Sequence, residues 1–349
     1  MTVSTSQAIS PDSGEPWATP GAWLVAEGVH RVPLPLPMDG LRAVNVYVLE
    51  GPEGLTLVDG GWAVTEGRDA LEAGLAHLGA GFGDIRRFLV THIHRDHYTL
   101  ASVLGEEYGA HVSLGAGERP TMDMIRGDEV GMGTSNRSLL AATGAIELAE
   151  RWASIQSGPH DPRLWRHPDT WLEGDVRLEV AGRALDAVHT PGHTQGHYVY
   201  ADGPAGLLFA GDHVLPTITP SIGFEPAAVA SPLSDFMASL TKVRALPDLR
   251  LLPAHGPVAE SSHARIDELL AHHEHRLSQC LASVRAGRET GIEVARDLGW
   301  TRHERAFDSL DLFNSALAAL ETKAHLEVLA ARGEVRRQES DGLVRFSPA

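Results

Sequence analysis

The chain has 349 residues, of which 43% are hydrophobic, and a formal net charge of −17 at neutral pH. This length suits one large catalytic domain with a smaller appendage, and no apolar run reaches the roughly 18 residues that a membrane span needs. The acidity works against binding to polyanions, because affinity for nucleic acid comes largely from neutralised phosphates. Cys280 is the only cysteine, so we expect neither an intramolecular disulfide nor a thiolate zinc site.

The first half of the chain is expected to alternate short strands with helices. Residues 1–19 lack the basic start and apolar core of a signal peptide, so we predict a flexible leader and a cytoplasmic protein. Apolar periodicity and turn residues then predict these elements in chain order: strands over 45–49 and 55–58, a helix over 65–78, a strand over 85–90 and a helix over 96–108.

Residues 118–170 fit this alternation poorly and predict a mostly helical insertion. It would either wall or cover a substrate pocket, or only pack on the strands. Further strands are predicted over 185–188, 206–210 and 249–252.

The character of the chain changes after about residue 260. Helices are expected over 264–286, 292–298 and 307–331, and Asp341-Gly342 is a strong hairpin signal between strands over 334–339 and 343–346. Three helices and a hairpin are typical of a winged-helix module. We therefore predict a catalytic domain over 20–260 and a winged-helix domain over 261–349.

The motif that carries the chemistry runs from His92 to His97. Four candidate ligands, His92, His94, Asp96 and His97, directly follow an apolar strand. Residues two apart in an extended segment project to the same side, which suits His92 and His94. Asp96 and His97 begin the next helix, where adjacent side chains diverge, so they suit a second ion. Imidazole and carboxylate ligands match Zn²⁺, and Mn²⁺ or Fe²⁺ less exclusively.

Three later strands also end in polar residues, namely His193, Asp212 and His255. Loops at the carboxyl ends of strands commonly build the active sites of α/β proteins. Repetition over four strand ends makes chance placement a poor explanation.

His92-x-His94-x-Asp96-His97 resembles the signature of the metallo-β-lactamase superfamily, and residues 190–194, 211–213 and 254–256 are similar to its remaining motifs in order. The resemblance covers roughly residues 25–258 and implies an α/β fold, the αββα sandwich, with the metals at one edge. It implies that one ion is held by His92, His94 and His193, the other by Asp96, His97 and His255, and that Asp212 bridges them. Asp59 resembles a residue of the family that orients a ligand histidine, whereas the alternative is a turn residue before Gly60-Gly61.

The C-terminal part resembles the winged-helix extension of a subgroup that includes a mitochondrial metallo-β-lactamase-like endoribonuclease and many bacterial hydrolases. His275-Arg276 and the stretch from Lys323 to Val335 carry this similarity.

Other branches of the superfamily resemble this sequence less well. An iron redox branch has Glu where this chain has His94, and the β-lactamases of most similar pattern usually lack the bridging Asp and carry an export signal.

The expected activity is metal-dependent hydrolysis, because two close divalent ions can turn a shared water into a hydroxide near neutral pH. Asp96 is the catalytic candidate, which would orient the hydroxide and then protonate the leaving group.

A small carbonyl substrate (thioester, lactone or ester) is favoured by the acidity and by the Met- and Trp-bearing insertion. The alternative is an RNA phosphodiesterase, favoured by the winged-helix resemblance. Residues 261–349 hold 12 basic and 14 acidic residues, whereas a nucleic-acid-binding module should be basic.

The winged-helix domain would then serve packing, pocket closure or formation of a homodimer. Among the other histidines, His197 and His213 would either line the pocket and contact a substrate or pack within their loops. His272, His273 and His275 look like a metal-binding tract, but 272 and 273 diverge on a helix, so a solvated or interface face is predicted there.

Overall fold

The computed structural model describes residues 16–37, 40–127, 132–154, 161–227, 229–301 and 303–349. The predicted leader therefore lies outside the described residues as far as residue 15, and so do two short parts of the predicted insertion, 128–131 and 155–160.

The first sheet has seven strands among the described residues, and they lie side by side in chain order. They are β1 (Trp23–Ala26), β2 (Val29–Pro35), β3 (Ala43–Gly51), β4 (Gly54–Val58), β5 (Ile85–Leu89), β6 (His111–Gly115) and β7 (Thr170–Leu172). Strands β1 to β4 pair antiparallel, and β4 to β7 pair parallel. The predicted pair over 45–49 and 55–58 is confirmed as β3 and β4.

The second sheet has five described strands in the order β12-β11-β10-β9-β8. They are β8 (Val176–Val180), β9 (Arg183–His189), β10 (Tyr198–Asp202), β11 (Leu207–Gly211) and β12 (Arg250–Pro253). Only β11 and β12 run parallel. The predicted strands over 185–188, 206–210 and 249–252 correspond to β9, β11 and β12.

Successive side chains of a strand point to opposite faces of its sheet. Both faces of each sheet are apolar here, because one faces the covering helices and the other faces the second sheet. On β3, Val46 and Val48 belong to a core beneath the helices, whereas Tyr47 and Leu49 belong to the core between the sheets. Phe209 of β11 packs edge-on against Tyr47, with ring centroids 5.4 Å apart. The two sheets therefore stack face to face.

Helices cover both outer faces. On the first sheet lie α1 (Thr65–His77) and α2 (Arg95–Tyr108), as predicted within a residue or so. The later helices before residue 260 are α3 (Arg119–Arg126), α4 (Met132–Ala142), α5 (Ile146–Ala153) and α6 (Pro232–Arg244). The arrangement is the αββα sandwich expected from the sequence.

The C-terminal part contains α7 (Ser262–Arg285), α8 (Gly291–Asp297), α9 (Leu312–Ala331) and the hairpin β13 (Val335–Ser340) and β14 (Leu343–Pro348). The prediction of a helix from residue 307 is wrong at its start. Residues 307–309 form a 3₁₀ turn, and α9 begins after Asp311, whose carboxylate accepts the N–H of Asn314 at 2.9 Å. The three helices and hairpin are present, and their identification as a winged helix stays a prediction.

The insertion and the C-terminal helices share one apolar core on the outer face of the second sheet. Leu140 of α4, Ala149 of α5, Leu240 of α6 and Leu326 of α9 all belong to it. Helices α4 and α5 pack on each other and on α9, and their core also contains Val199 and Leu208 of the second sheet. The role of the insertion as a wall or cover of a substrate pocket stays a prediction. No helix in the described part of the chain is long and apolar enough to cross a membrane.

Candidate metal centre

The predicted ligands converge at one edge of the sandwich, where several strands reach their carboxyl ends. All seven lie in loops or at a helix start directly after β5, β9, β11 and β12: His92, His94, Asp96, His97, His193, Asp212 and His255. The structure brings them into two adjoining groups with the same membership as the sequence predicted.

The first group consists of His92, His94, His193 and Asp212. His94 Nδ1 lies 2.9 Å from His92 Nε2 and 3.1 Å from His193 Nε2. Asp212 Oδ2 lies 3.5 Å from His193 Nε2 and 4.0 Å from His92 Nε2. A tetrahedral zinc site with bonds of 2.0–2.1 Å places its ligand atoms about 3.3 Å apart, so these separations suit one ion.

The second group consists of Asp96, His97 and His255. Asp96 Oδ2 lies 3.4 Å from His255 Nε2 and 3.7 Å from His97 Nε2. The other oxygen of Asp212, Oδ1, lies 3.4 Å from His255 Nε2 and 3.6 Å from His97 Nε2. Asp212 thus presents one oxygen to each group, as expected of a bridging carboxylate.

Asp59 orients a ligand of each group, His97 directly and His92 through Thr91. Its Oδ2 lies 2.9 Å from His97 Nδ1, and its Oδ1 accepts the Thr91 hydroxyl at 2.9 Å. Because that hydroxyl proton is committed to Asp59, Thr91 Oγ1 must accept from His92 Nδ1, 3.0 Å away. Both His97 and His92 thereby carry a proton on Nδ1 and direct Nε2 towards the site. Of the two readings of Asp59, the geometry matches the orienting one.

Backbone carbonyls fix two further ligand histidines in the same manner. His193 Nδ1 donates to the Ser221 carbonyl at 2.8 Å, and His255 Nδ1 donates to the Ala43 carbonyl at 2.8 Å. Each therefore directs an unprotonated Nε2 into the site. Hydrogen bonds at Nδ1 thus hold four histidines with Nε2 directed into the site.

Three of the candidate ligand atoms have no hydrogen-bond partner among the described residues. His97 Nε2, His255 Nε2 and Asp212 Oδ1 are buried and make no hydrogen bond within the described structure. Buried polar atoms are nearly always paired, and all three face the same small space. The donor set consists of five imidazoles and two carboxylates, the ligand types that zinc and related divalent ions prefer. The residues therefore fit divalent metal ions.

Electrostatics differ between the two groups. Burial, and next the neighbouring His193, lowers the pKa of His94 to about 3, and burial lowers that of His193 to about 4. Both stay neutral, as ligands must be. At His97, burial would lower the pKa, but the carboxylates of Asp59, Asp96 and Asp212 outweigh it and raise the pKa to about 10. The second group thus lies in a negative field that favours a cation.

His197 and His213 are both fully buried behind the ligands. His197 Nε2 accepts the backbone N–H of Asp212 at 3.2 Å, so its Nδ1 donates to Thr190 Oγ1 at 2.9 Å. His213 packs edge-on against Phe236 with ring centroids 5.1 Å apart. Of the predicted alternatives, these positions favour support of the loops over contact with a substrate.

Two supporting residues escaped the sequence analysis because nothing marks them in the motif. Glu118 Oε1 accepts the Thr194 hydroxyl at 2.5 Å, and Glu225 Oε2 accepts the backbone N–H of Gln195 at 2.9 Å. Both carboxyls are buried, and together they hold the loop that carries His193. Their only sequence signal is a polar residue at the end of an apolar run.

A second such network fixes the His255 loop. Asn45 Nδ2 donates to the carbonyls of Pro253 and Gly256 at 2.9 and 3.0 Å, and its Oδ1 accepts from the fully buried Arg31 at 2.6 Å. The apolar run of β3 predicts the strand that carries Asn45. Arg31 lies on the neighbouring strand β2, and no sequence pattern predicts that its side chain is buried.

A family model described as the metallo-beta-lactamase superfamily matches residues 39–255, more than half of the chain and all but the ends of the catalytic region. The chain belongs to the metallo-beta-lactamase superfamily. A solved metallo-beta-lactamase family protein, TTHA1429 of Thermus thermophilus, is 31% identical, with a TM-score of 0.75 over 93% of this chain and 100% of its own.

Two curated relatives within this superfamily bear on the reaction. The probable metallo-hydrolase YqjP of Bacillus subtilis is 26% identical over 340 residues, 93% of this chain and 98% of YqjP. The atrochrysone carboxyl ACP thioesterase AacuM of Aspergillus aculeatus is 33% identical over 153 residues, 42% of this chain and 46% of AacuM. The chain spans about half the length of several curated relatives that it matches, 46% and 60% of the first two.

Proposed function

We propose that the protein hydrolyses a small carbonyl substrate, a thioester, lactone or ester, with two divalent metal ions, most simply Zn²⁺. The observation that carries this proposal is the arrangement of seven side chains in two adjoining groups that share Asp212. His92, His94 and His193 would hold one ion, and Asp96, His97 and His255 the other. When bound, such a pair supplies an activated water and polarises the carbonyl oxygen.

Asp96 is our candidate for proton transfer. Its side chain is 13% exposed, compared with 9% for Asp212 and 2% for Asp59, so it is the carboxylate of the centre most open to solvent and substrate. Asp96 would accept a proton from the attacking water and return it to the departing sulfur or oxygen as the carbonyl carbon–heteroatom bond breaks. Asp96→Asn should therefore lower kcat even in protein whose metal content has been restored with excess Zn²⁺.

The thioester class is supported by the similarity to the thioesterase AacuM, although that similarity covers only 42% of the chain. The net charge of −17 gives no attraction to a polyanionic substrate. A compact acyl compound needs neither a long groove nor a basic surface.

The alternative, an RNA phosphodiesterase, has less support. In a winged helix that binds nucleic acid, one helix must be free to enter a groove. Here α9, the recognition-helix candidate, buries Ala316, Leu320, Ala324 and Leu329 among others along its length, and it packs against α5, α6, α7 and α8. A helix enclosed in this way serves the protein core.

The test is a substrate panel of acyl-CoA and glutathione thioesters, lactones and single-stranded RNA, measured with the zinc-loaded protein. We expect turnover of at least one carbonyl substrate, abolished by His94→Ala and retained by His275→Ala, an exposed histidine on α7. RNA cleavage abolished by His94→Ala, with every carbonyl substrate inert, would overturn the proposal in favour of the phosphodiesterase.

A further inference from the structure

A third group of ligand atoms lies between α7 and α9, away from the centre described above. Side-chain ligand atoms of His272, His273 and Glu321 lie within 4.8 Å of one another. The expectation for His272, His273 and His275 is a solvated or interface face; in the structure His275 is exposed and His273 is fully buried within the chain. Glu321 lies 48 positions beyond His273 in the chain, and only the packing of α7 against α9 brings the two together.

A chain of hydrogen bonds fixes the protonation of His273. The backbone carbonyl of Glu321 can only accept, so the nitrogen of His325 that lies 2.8 Å from it, Nδ1, carries a proton. Burial lowers the pKa of His325 to about 4, so its ring is neutral and Nε2 is a bare acceptor. Nε2 lies 3.2 Å from His273 Nδ1, which must therefore be the protonated nitrogen of His273.

The remaining nitrogen of His273, Nε2, then carries a lone pair with nothing to bind. Burial lowers the pKa of this ring to about 2, so it stays neutral, and Nε2 is buried without a hydrogen-bond partner among the described residues. A buried acceptor of this kind is costly unless a donor or a cation meets it. His325 accepts the Nδ1 proton of His273, as the orienting partner of a metal-bound histidine commonly does.

We infer that His272, His273 and Glu321 form a third metal site, for a divalent ion of the zinc class. Two imidazoles and one carboxylate are a common donor set for such ions and leave a fourth position for water. His272 and Glu321 are more exposed than His273, which leaves a route for the ion to enter. An ion there would join α7 to α9 and so stabilise the packing of the C-terminal helices.

Two cations near the group lower its affinity. Arg276, one turn beyond His272, stacks on Trp300 at 4.4 Å and donates to the Gly299 carbonyl, and Arg265 pairs with Glu268 at 2.8 Å. With three protein ligands and these charges nearby, the site should release its ion to a chelator before the seven-ligand centre does.

The experiment compares metal content in zinc-saturated, full-length protein after gel filtration. Glu321→Gln keeps the shape of the side chain but removes its charge, and it should lose about one ion per chain relative to the wild type. His272→Ala should lose the same ion, whereas His275→Ala, an exposed histidine on the same helix, should lose none. The test uses only the difference in metal content between each variant and the wild type, so the result does not depend on how many ions the main centre holds.

A second measurement separates the two sites. Chelator titration of the wild type should release an early fraction of zinc without loss of hydrolytic turnover, and this fraction should be missing in Glu321→Gln. Equal metal content in the wild type, Glu321→Gln and His272→Ala would overturn the inference. It would mean that a water or a protonated Glu321 carboxyl satisfies His273 Nε2.

Discussion

Asp59 Oδ2 lies 2.9 Å from His97 Nδ1, and the backbone of Asp59 is held in the left-handed region, with φ of 63°. That conformation costs a non-glycine residue on the order of 1–3 kcal/mol. The cost is offset because the turn after β4 places one carboxylate against both Thr91 and His97. The strained residue thus supports ligands of both metal groups without binding an ion itself.

Asp59→Asn should weaken the second metal group while leaving the fold intact. Asn tolerates left-handed backbone, and its amide oxygen can still accept the Thr91 N–H. Its NH₂ group would then face His97 Nδ1 and move the imidazole proton to Nε2, the atom that should bind the ion. We expect metal affinity to fall about 10- to 100-fold, measured by chelator competition.

The matched control is Asp202→Asn. Asp202 is a buried carboxylate at the end of β10, paired with Arg183 at 2.8 Å, and it is not a member of either ligand group. It should lower stability without changing metal affinity. Equal affinity in Asp59→Asn and the wild type would show that Asp59 has only a turn-forming role.

Asp212→Ala should affect both metal groups at once, because Oδ2 faces His193 and Oδ1 faces His255. His193→Ala should affect only the first group. After dialysis against metal-free buffer, Asp212→Ala should therefore retain less zinc than His193→Ala. If the two variants retain the same amount, Asp212 does not bridge.

Glu118 and Glu225 should make stability depend on pH. Burial raises the pKa of both carboxyls, that of Glu225 to about 7, and the charge of Glu225 raises the pKa of Glu118 further. Between the ordinary value of 4.5 and about 7, the folded state therefore binds more protons than the unfolded state. Stability from these groups is complete below pH 4.5 and is lost as the pH rises through 7.

Glu118→Gln is neutral at every pH and can still accept the Thr194 hydroxyl. We expect the free energy of unfolding to fall less between pH 5 and pH 8 than in the wild type, by on the order of 1–2 kcal/mol. Urea unfolding of the metal-loaded proteins measures this, with Glu72→Gln on the exposed face of α1 as the control. A slope identical to that of the wild type would contradict the raised pKa of Glu118 in the folded protein.

The sequence was informative wherever spacing determines geometry. His92 and His94, two apart after β5, do point at one site, and the apolar runs of β3, β4, β5 and β11 were recognised as strands. Six strands were not predicted, although β10 is buried throughout: β1, β2, β6, β7, β8 and β10. β10 has only five residues and directly follows the loop that carries His193, so its apolar run is too short to stand out from the motif.

What the sequence could not supply were contacts between residues far apart in the chain. Glu225 meets Gln195, Asn45 meets Gly256, and Glu321 joins His273 only when α7 and α9 pack together. Each partner is an ordinary polar residue within its own segment, and only the tertiary fold gives it a role. The start of α9 was misplaced for a local reason, since Asp311 and not the apolar pattern sets where the helix begins.

The most direct test of the central claim is thioester turnover during removal and return of metal. The protein stripped by a chelator should lose activity and regain it on addition of Zn²⁺, while His94→Ala, treated in parallel, should remain inactive throughout. Full activity in the stripped wild-type protein, or equal activity in His94→Ala, would contradict metal-dependent hydrolysis at this centre.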